Sequence, residues 1–430
     1  MSRRDAERWP QFCARMARLA RALELVYAGP PPDPLARSPG ELVRMAGLAW
    51  RVRGLGRKAV EDLLRVLPMP AADLLDDWFE SDALKGLLGL GGVMHLARGP
   101  RSGGSAFALL HGHTGSPPGV FRPPRSNVAA VLARLPGIDV RRGVRVARIA
   151  VRAGGVASIV LASGEEVVAE CVVSGIGPRR TLLELVDPAW LDPELVRAVR
   201  NVRARGVVAR VDLLLDRDPG FATLTLAPSL DALERAYDDA KYGRVSQRPA
   251  LEAYVDGQAA NAAGRHRIEV HVQYAPYALA EGDWDAARRA ALVDGVVQAL
   301  AAYLPGGAAA VLERTVRTPR DLESDLGWPE GQMHHAELAL DQALWMRPVA
   351  ALAHYRTPIR GLHLCGPALH PGGGVPGASG RTRPARRFAA AAAADCSRAT
   401  AAPTIDAVRL HCAAARALSA RAAAKTRLPP

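Results

Sequence analysis

The residues best placed to do chemistry lie in one stretch, Tyr355 to Gly380. An apolar strand, Leu362–Cys365, runs at once into Gly366-Pro367 and then into a glycine cluster of Gly372, Gly373, Gly374 and Gly377, with a helix start expected near Val375–Ser379. Glycines let a backbone approach a ligand closely, and free N–H groups at a helix start attract anionic or electron-rich atoms. A strand feeding such a turn is where α/β proteins hold cofactors. Spacing alone leaves a flexible surface loop equally open.

Other reactive side chains point less far. His111 and His113, or His334 and His335, are adjacent or alternate and have no converging carboxylates or HExxH pattern, so a metal site is not expected. Cys365 lies in an apolar strand and reads as an inert buried thiol. Ser126 and Ser379 lack a GxSxG context, which leaves serine-hydrolase chemistry unsupported. Tyr355 and Arg356 precede the strand and could equally touch substrate or hold structure. Asp321 and Glu323 read as a helix-start pair rather than catalytic carboxylates. No catalytic residue is assigned.

The elements that must position these groups form a mixed pattern. Residues 1–98 are helical in period: Phe12, Met16, Leu19, Ala20 and Leu23 recur on one face until Pro30, Pro31 and Pro32 break the run. Further helical runs cover Leu42–Val52, Ala59–Val66, Ala71–Trp78 and Asp82–Leu90. Gly54-Leu55-Gly56-Arg57-Lys58-Ala59 matches GxGxxA, but a helix precedes it, so it reads as a helix–helix turn and not a phosphate loop. Ala106–His111 reads as a short apolar strand. Residues 137–173 form a β-meander: Val144, Val146 and Ile149, then Val156–Leu161, then a single strand Glu166–Val173, with Gly154-Gly155 and Ser163-Gly164 as turns. The loop Ser174–Pro178 and a helix near Arg180–Val186 follow. Residues 206–216 and 266–274 are strands, the second alternating Ile268, Val270, Val272 against Glu269, His271, Gln273, as an antiparallel sheet with one covered face requires. A helix over 284–303 and a strand at Leu312–Val316 complete the body.

Composition narrows the functional classes. The 430 residues are 49% hydrophobic and only 5% aromatic, enough for two or three domains packed mainly by Ala, Val and Leu. No run of about 18 apolar residues is present, so no spanning helix is expected. The chain opens in mixed charge, without an apolar signal core. Five scattered cysteines, Cys13, Cys171, Cys365, Cys396 and Cys412, form no CxxC pair; this points away from disulfides and zinc and towards a reducing cytoplasm. The net charge of +13 is concentrated at one end, because residues 381–430 alone carry +8 with 19 alanines. That Ala/Arg-rich tail has no interleaved aromatics and is expected to be disordered; nucleic acid is not an expected partner.

Taken in order, Thr318-Pro319-Arg320-Asp321-Leu322-Glu323, Gly331-Gln332-Met333-His334-His335-Ala336-Glu337-Leu338, Leu340-Asp341-Gln342, Arg347-Pro348 and Tyr355-Arg356-Thr357-Pro358, followed by the glycine cluster, resemble the C-terminal flavin-contacting signature of phytoene-desaturase-like FAD-dependent oxidoreductases of the amine-oxidase superfamily. The likeness is nearest to the branch named for pyridine nucleotide-disulfide oxidoreductase domain-containing protein 2 and covers roughly residues 10–380. It implies an α/β fold, in which an FAD-binding Rossmann-like domain is interleaved with a substrate domain of antiparallel sheet plus helices. Residues 1–120 would be the helical part of the substrate domain, and 121–185 the FAD-domain meander and return loop. Residues 186–340 would be substrate domain and 341–380 the flavin-contacting segment. The resemblance places Gly366 near the ribityl-pyrophosphate and Gly373, Gly374, Val375 and Gly377 at the isoalloxazine pyrimidine edge. Val146 matches a position whose backbone brackets the adenine, and Ser174 opens the loop that returns beneath the dinucleotide. His335 falls in a substrate-domain loop. The chemistry implied is dehydrogenation, hydride passing from a substrate C–H or N–H to the flavin, with a small hydrophobic or amine-like substrate and a mitochondrial-matrix location if the source is eukaryotic.

The chain departs from that family in two places. It has no strand feeding a GxGxxG and an acidic ribose partner, the unit that gives the family most of its FAD affinity. After Gly380, Arg381-Thr382-Arg383-Pro384 interrupts the helix the family continues. The expectation is therefore an FAD-dependent oxidoreductase homologue, truncated, that binds FAD weakly or not at all unless another chain or an oligomer supplies the missing half. The alternative is a non-enzymatic remnant or partner subunit acting through its substrate-domain surface.

Overall fold

The computed structural model describes residues 2–27, 29–33, 38–115, 139–255 and 264–373. The chain divides into two units, each assembled from separated segments: Met1–Leu23, Arg51–Phe121 and Arg203–Gln342 form the first, and Glu24–Trp50, Arg122–Val202 and Ala343–Pro430 the second. The fold class is α/β, as the sequence pattern requires.

The helical stretch opens with α1 (Arg3–Tyr27), α2 (Pro39–Arg53), α3 (Arg57–Val66), α4 (Ala71–Asp76) and α5 (Asp82–Val93). The GxGxxA segment is the turn between α2 and α3, with Gly56 at φ 83. In the first unit Phe12, Met16 and Leu19 of α1 are buried, and Phe12 meets Trp78 and Phe79 edge-on with ring centroids 5.6 and 5.0 Å apart. The expected strand at Ala106–His111 is instead helix α6 (Ser105–His113), eight of whose nine residues are buried. A short apolar run buried on every side carries neither period, so its pattern could not separate strand from helix.

The second unit contains β1 (Val146–Arg152), β2 (Gly155–Leu161) and β3 (Glu166–Val168), an antiparallel meander in that order. The single strand expected over Glu166–Val173 is divided. Pairing with β2 ends at Val168, and β4 (Val172–Ser174) leaves the meander to pair in parallel with a strand near the other end of the unit. Helices α7 (Pro178–Leu183) and α8 (Pro193–Arg200) follow; Asp192 caps α8 through the N–H of Glu194 at 2.7 Å.

The first unit resumes with β5 (Val208–Leu215), β6 (Thr223–Leu226), α9 (Leu230–Lys241), β7 (Leu251–Val255), β8 (His266–Gln273), α10 (Ala286–Ala301), β9 (Val311–Arg317) and α11 (Pro319–Leu326). The strands make one antiparallel sheet in the order β6-β7-β8-β5-β9. Period-two alternation sends Ala209, Val211, Leu213, Ile268, Val270, Val272, Leu251 and Ala253 into a single core with Leu292, Val293, Val296 and Leu300 of α10. The opposite residues, Arg210, Asp212, Glu252, Tyr254, Glu269 and His271, share the other face. The last strand, β10 (Leu362–Leu364), belongs to the second unit.

Candidate functional site

The second unit has one parallel strand pair among its described residues. Leu362, His363 and Leu364 of β10 stand opposite Val172, Val173 and Ser174 of β4. Two glycines with positive φ bracket β10, Gly361 at 76° and Gly366 at 97°. A Cβ on Gly361 would lie 2.1 Å from the Glu170 carbonyl, so this entry to the pair admits no side chain; the N–H of Val172 donates to the Gly361 carbonyl at 2.7 Å. At the exit the N–H of Cys365 donates to the Ser174 carbonyl at 2.8 Å, and a Cβ on Gly366 would stand 3.0 Å from the Gly175 carbonyl. The carboxyl ends of both strands thus emerge side by side. In open α/β sheets that edge is where ligands bind.

Two turns leave this edge. The first, Ser174 to Pro178, is held by a buried hydroxyl pair: Ser174 Oγ lies 2.7 Å from Thr181 Oγ1, which donates to the Gly177 carbonyl at 2.7 Å. The second, Gly366 to Gly373, is held from beneath. Arg347 is fully buried; its Nη2 donates to the Pro367 carbonyl at 2.7 Å and its Nε to the Leu369 carbonyl at 3.3 Å. The Tyr355 hydroxyl donates to the His370 carbonyl at 2.8 Å, and the Tyr27 and His370 rings meet edge-on at 5.6 Å.

Burial sets the protonation of this cluster. It lowers the Arg347 guanidinium to about 10, which still leaves the group charged at neutral pH, with the neighbouring Tyr27 acting the other way. Burial, and then the Arg347 charge, lower His370 to about 4, so its imidazole is neutral. Burial pushes the Tyr355 phenol up to about 12 and raises Tyr27 as well. The same cause raises the Cys365 thiol, which is half-buried and stays protonated at neutral pH.

Of the residues singled out from the sequence, the structure brings Ser174 and Gly366 together at the strand ends. Gly373 closes the described part of the second turn and is buried. Val146 lies apart from them, opening β1 opposite Leu161 at the end of the meander away from the Gly154 turn. Gly374, Val375 and Gly377 lie outside the described residues, as do the expected helix start, Ser126, Ser379 and the tail. Tyr355 and Arg356 both serve structure: Arg356 bridges to His363, and the Leu364 N–H donates to the Tyr355 carbonyl at 2.9 Å. Arg347, Tyr27 and His370 had no assigned role. A cation seated on backbone carbonyls twenty residues further along the chain leaves no spacing signature.

The histidines of the helical stretch and of the five-stranded sheet and its following loop lie in the first unit. His111 and His113 are buried on α6, and burial lowers His113 to about 4. His335 is buried beside Trp328, with ring centroids 6.5 Å apart. His334 and His271 each meet His95, at 5.5 and 5.2 Å, and His271 Nε2 lies 2.6 Å from Glu269 Oε1. Among the described residues no group of three or more His, Cys, Asp and Glu converges to hold a metal ion. No helix among them is long and apolar enough to cross a membrane. Asp321 is a capping residue: its carboxylate accepts from the Thr318 N–H at 2.8 Å and from Arg289, while Glu323 accepts from the Tyr277 hydroxyl.

An α/β chain of two interleaved units, with a glycine-bracketed parallel strand pair, is the class that these features define. No protein-family model matches the chain. It is similar to pyridine nucleotide-disulfide oxidoreductase domain-containing protein 2 of Rattus norvegicus, 33% identical over 417 residues, covering 88% of this chain and 72% of the relative. The Mus musculus protein of the same name is 31% identical over 418 residues with the same coverage. The chain belongs to the pyridine nucleotide-disulfide oxidoreductase domain-containing protein 2 family. Among solved structures, cyclohexylamine oxidase from Brevibacterium oxydans IH-35A aligns over 94% of this chain and 74% of its own, at 11% identity and a TM-score of 0.39. An oxidoreductase from Methanosarcina mazei aligns over 53% and 44%, at 17% identity and a TM-score of 0.34. At these scores neither likeness carries weight for fold or function.

Proposed function

We propose that the chain is an FAD-dependent oxidoreductase that dehydrogenates a small hydrophobic or amine-like substrate. The observation that carries this reading is the paired exit of β4 and β10, where Ser174–Gly175 and Cys365–Gly366 lie against each other at the carboxyl edge of parallel strands. The family's name, which includes an oxidoreductase domain, supports it. The Gly366–Gly373 turn would hold the ring end of the flavin, joined by Gly374, Val375 and Gly377. Ser174 would open the loop beneath the dinucleotide, and Val146 would lie near the adenine. A bound flavin supplies the hydride acceptor. The chain's own groups do the positioning: Arg347 and Tyr355 fix the turn, and Thr181 fixes Ser174.

The described residues supply two turns for the ring end of such a cofactor and, among them, no strand-fed GxGxxG for its pyrophosphate. Phosphates need a helix start and backbone N–H groups to offset their desolvation. The only GxGxxA segment is a turn between two helices. The reading therefore includes weak FAD affinity for this chain by itself. Mixing the purified chain with excess FAD, removing free cofactor by gel filtration and recording the flavin absorbance bands tests both parts. A substoichiometric yellow protein fits, stoichiometric flavin overturns the weak affinity, and a colourless protein at saturating FAD overturns the assignment. The helical setting of the GxGxxA segment favours a second reading, a non-catalytic partner subunit. That reading requires the colourless result together with retained structure by circular dichroism.

A further inference from the structure

The first unit holds a cleft of about 590 Å³ between the loop that joins α9 to β7, the loop that joins β8 to α10, and one side of α10. That volume falls in the range of small-molecule sites, about 300–1,000 Å³. Its inner wall is apolar and continuous with the core of the sheet: Leu292 is buried in that core, and Val245 and Leu279, both half-buried, pack against it. The two loops are pinned together, because the Ala280 N–H donates to the Gly243 carbonyl at 2.9 Å. Gly243 has φ 72 and a Cβ there would stand 2.4 Å from the Ala280 nitrogen, so this joint requires glycine. Gly295 is different. It sits inside α10, where glycine is unfavourable, yet a Cβ on it would meet nothing within 4 Å. Packing gives no reason for glycine at this place. A side chain there, or a longer one at Ala291 a turn before, would instead occupy the cleft that both residues line.

The exposed rim is cationic. Arg244 and Arg288 line it with a single carboxylate, Glu281. Arg288 donates from Nη1 to the Asp285 carboxylate at 2.7 Å and to the Asp283 carbonyl at 3.1 Å; among the described residues its Nε and Nη2 donate to nothing. Arg244 reaches one oxygen of Asp239 at 3.3 Å. A guanidinium carries five N–H donors, so each arginine keeps donors for a second carboxylate.

We propose that this cleft binds a small amphipathic carboxylate, its apolar body against Val245, Leu279 and Leu292 and its charge on Arg244 and Arg288. An amine would meet two like charges at this rim, and a wholly apolar ligand would leave the guanidinium groups unused. The substrate of the flavin reading is hydrophobic or amine-like, so the cleft takes a further ligand. The site lies wholly in the first unit and stands or falls apart from that reading.

The test titrates the full chain by calorimetry with octanoate, octan-1-ol and octylammonium, in wild type and in Gly295→Leu, Ala291→Leu, Arg288→Gln and Arg244→Gln. Circular dichroism melts report whether each variant is folded. Octanoate is expected to bind wild type at least about tenfold more tightly than either other probe. Gly295→Leu is expected to melt no lower than wild type, since leucine suits a helix better than glycine, and to lose octanoate binding. Ala291→Leu fills the same space from the preceding turn and should give the same loss, so the test survives the unfolding of either variant. Each arginine variant should weaken octanoate about tenfold and leave octan-1-ol unchanged. A wild-type chain that does not bind octanoate overturns the proposal. So does a folded Gly295→Leu or Ala291→Leu chain with wild-type octanoate affinity, because the ligand then sits elsewhere. Equal affinities for the three probes, or octanoate binding untouched by both arginine changes, would mark a merely apolar cleft and overturn the carboxylate assignment.

Discussion

Ser174 and Thr181 share a single hydroxyl-to-hydroxyl hydrogen bond of 2.7 Å inside the second unit. Thr181 is wholly buried and Ser174 nearly so. The pair ties the carboxyl end of β4 to the first turn of α7, and so fixes the loop that would run beneath a dinucleotide.

Removing both members should cost less than the sum of removing each. Thr181→Val strands a buried Ser174 hydroxyl and is expected to destabilise the chain by about 1–3 kcal/mol. In the Ser174→Ala/Thr181→Val double variant the two losses should fall short of additivity by about 1 kcal/mol in urea unfolding. Strict additivity would mean that the hydroxyls do not interact.

Two glycines with the same sign of φ should respond differently to alanine. Gly361 has φ 76 and its added Cβ would meet the Glu170 carbonyl at 2.1 Å, whereas Gly154 has φ 73 and nothing within 4 Å. Gly154→Ala should cost only the left-handed backbone penalty, about 1–2 kcal/mol. Gly361→Ala should cost clearly more, because the β4–β10 pairing must open to admit the methyl group. Equal melting temperatures for the two variants would contradict the strand pairing described here.

The Thr318–Asp321 capping box starts α11, and Asp321 is also paired with Arg289 at 2.9 Å. Burial alone would raise the Asp321 carboxyl, but hydrogen bonds from Arg289 and from Thr318 outweigh it and hold the group below its ordinary value of 3.8. Its stabilisation is therefore present above the unfolded value and lost as pH falls through the lower folded one. Thr318→Ala should cost about 1 kcal/mol at pH 7. Asp321→Asn should be less stable than wild type at pH 7, with the gap closing only as pH falls below the ordinary carboxylate value of 3.8 and wild-type Asp321 protonates.

His370 and His113 set a second acid transition. Burial holds each at about 4, against an ordinary 6.5. Between those values the unfolded chain binds protons that the folded chain refuses, so stability falls as pH drops from 6.5 to 4 and levels off below. Each group contributes up to about 3 kcal/mol across that window. His370→Gln and His113→Gln should each flatten part of the slope in urea midpoints measured between pH 7 and pH 4. A wild-type midpoint that does not change over this range would show that both imidazoles titrate normally.

Much of this architecture could be read from spacing. The alternation of Ile268, Val270 and Val272 against Glu269, His271 and Gln273 marks β8 because one face of the sheet is covered by α10 and the other is polar. Gly366 announces the exit of β10 in the sequence, whereas the need for Gly361 at its entry, with φ 76, is visible only in the structure. The signal fails where local pattern is silent. Ala106–His111 is apolar on every side and so carries no period. Thr223–Leu226 and Leu251–Val255 are only four and five residues long, too short to show a period, so neither β6 nor β7 was expected, whereas the edge strand β9 was. The switch of β4 from the meander to β10 is a pairing across nearly two hundred residues and has no local cause. Arg347 was visible only as part of a motif; its seat on the Pro367 and Leu369 carbonyls depends on the tertiary fold.

The central claim is that the turns after β4 and β10 hold a flavin. Hydrogen–deuterium exchange of the chain with and without saturating FAD measures it most directly, because it needs no substitution. FAD should slow exchange in peptides covering Ser174–Gly177 and Cys365–Gly373, while β8 and α10 exchange as before. FAD that leaves those two segments unchanged at saturation, or that protects only residues elsewhere, would contradict the account.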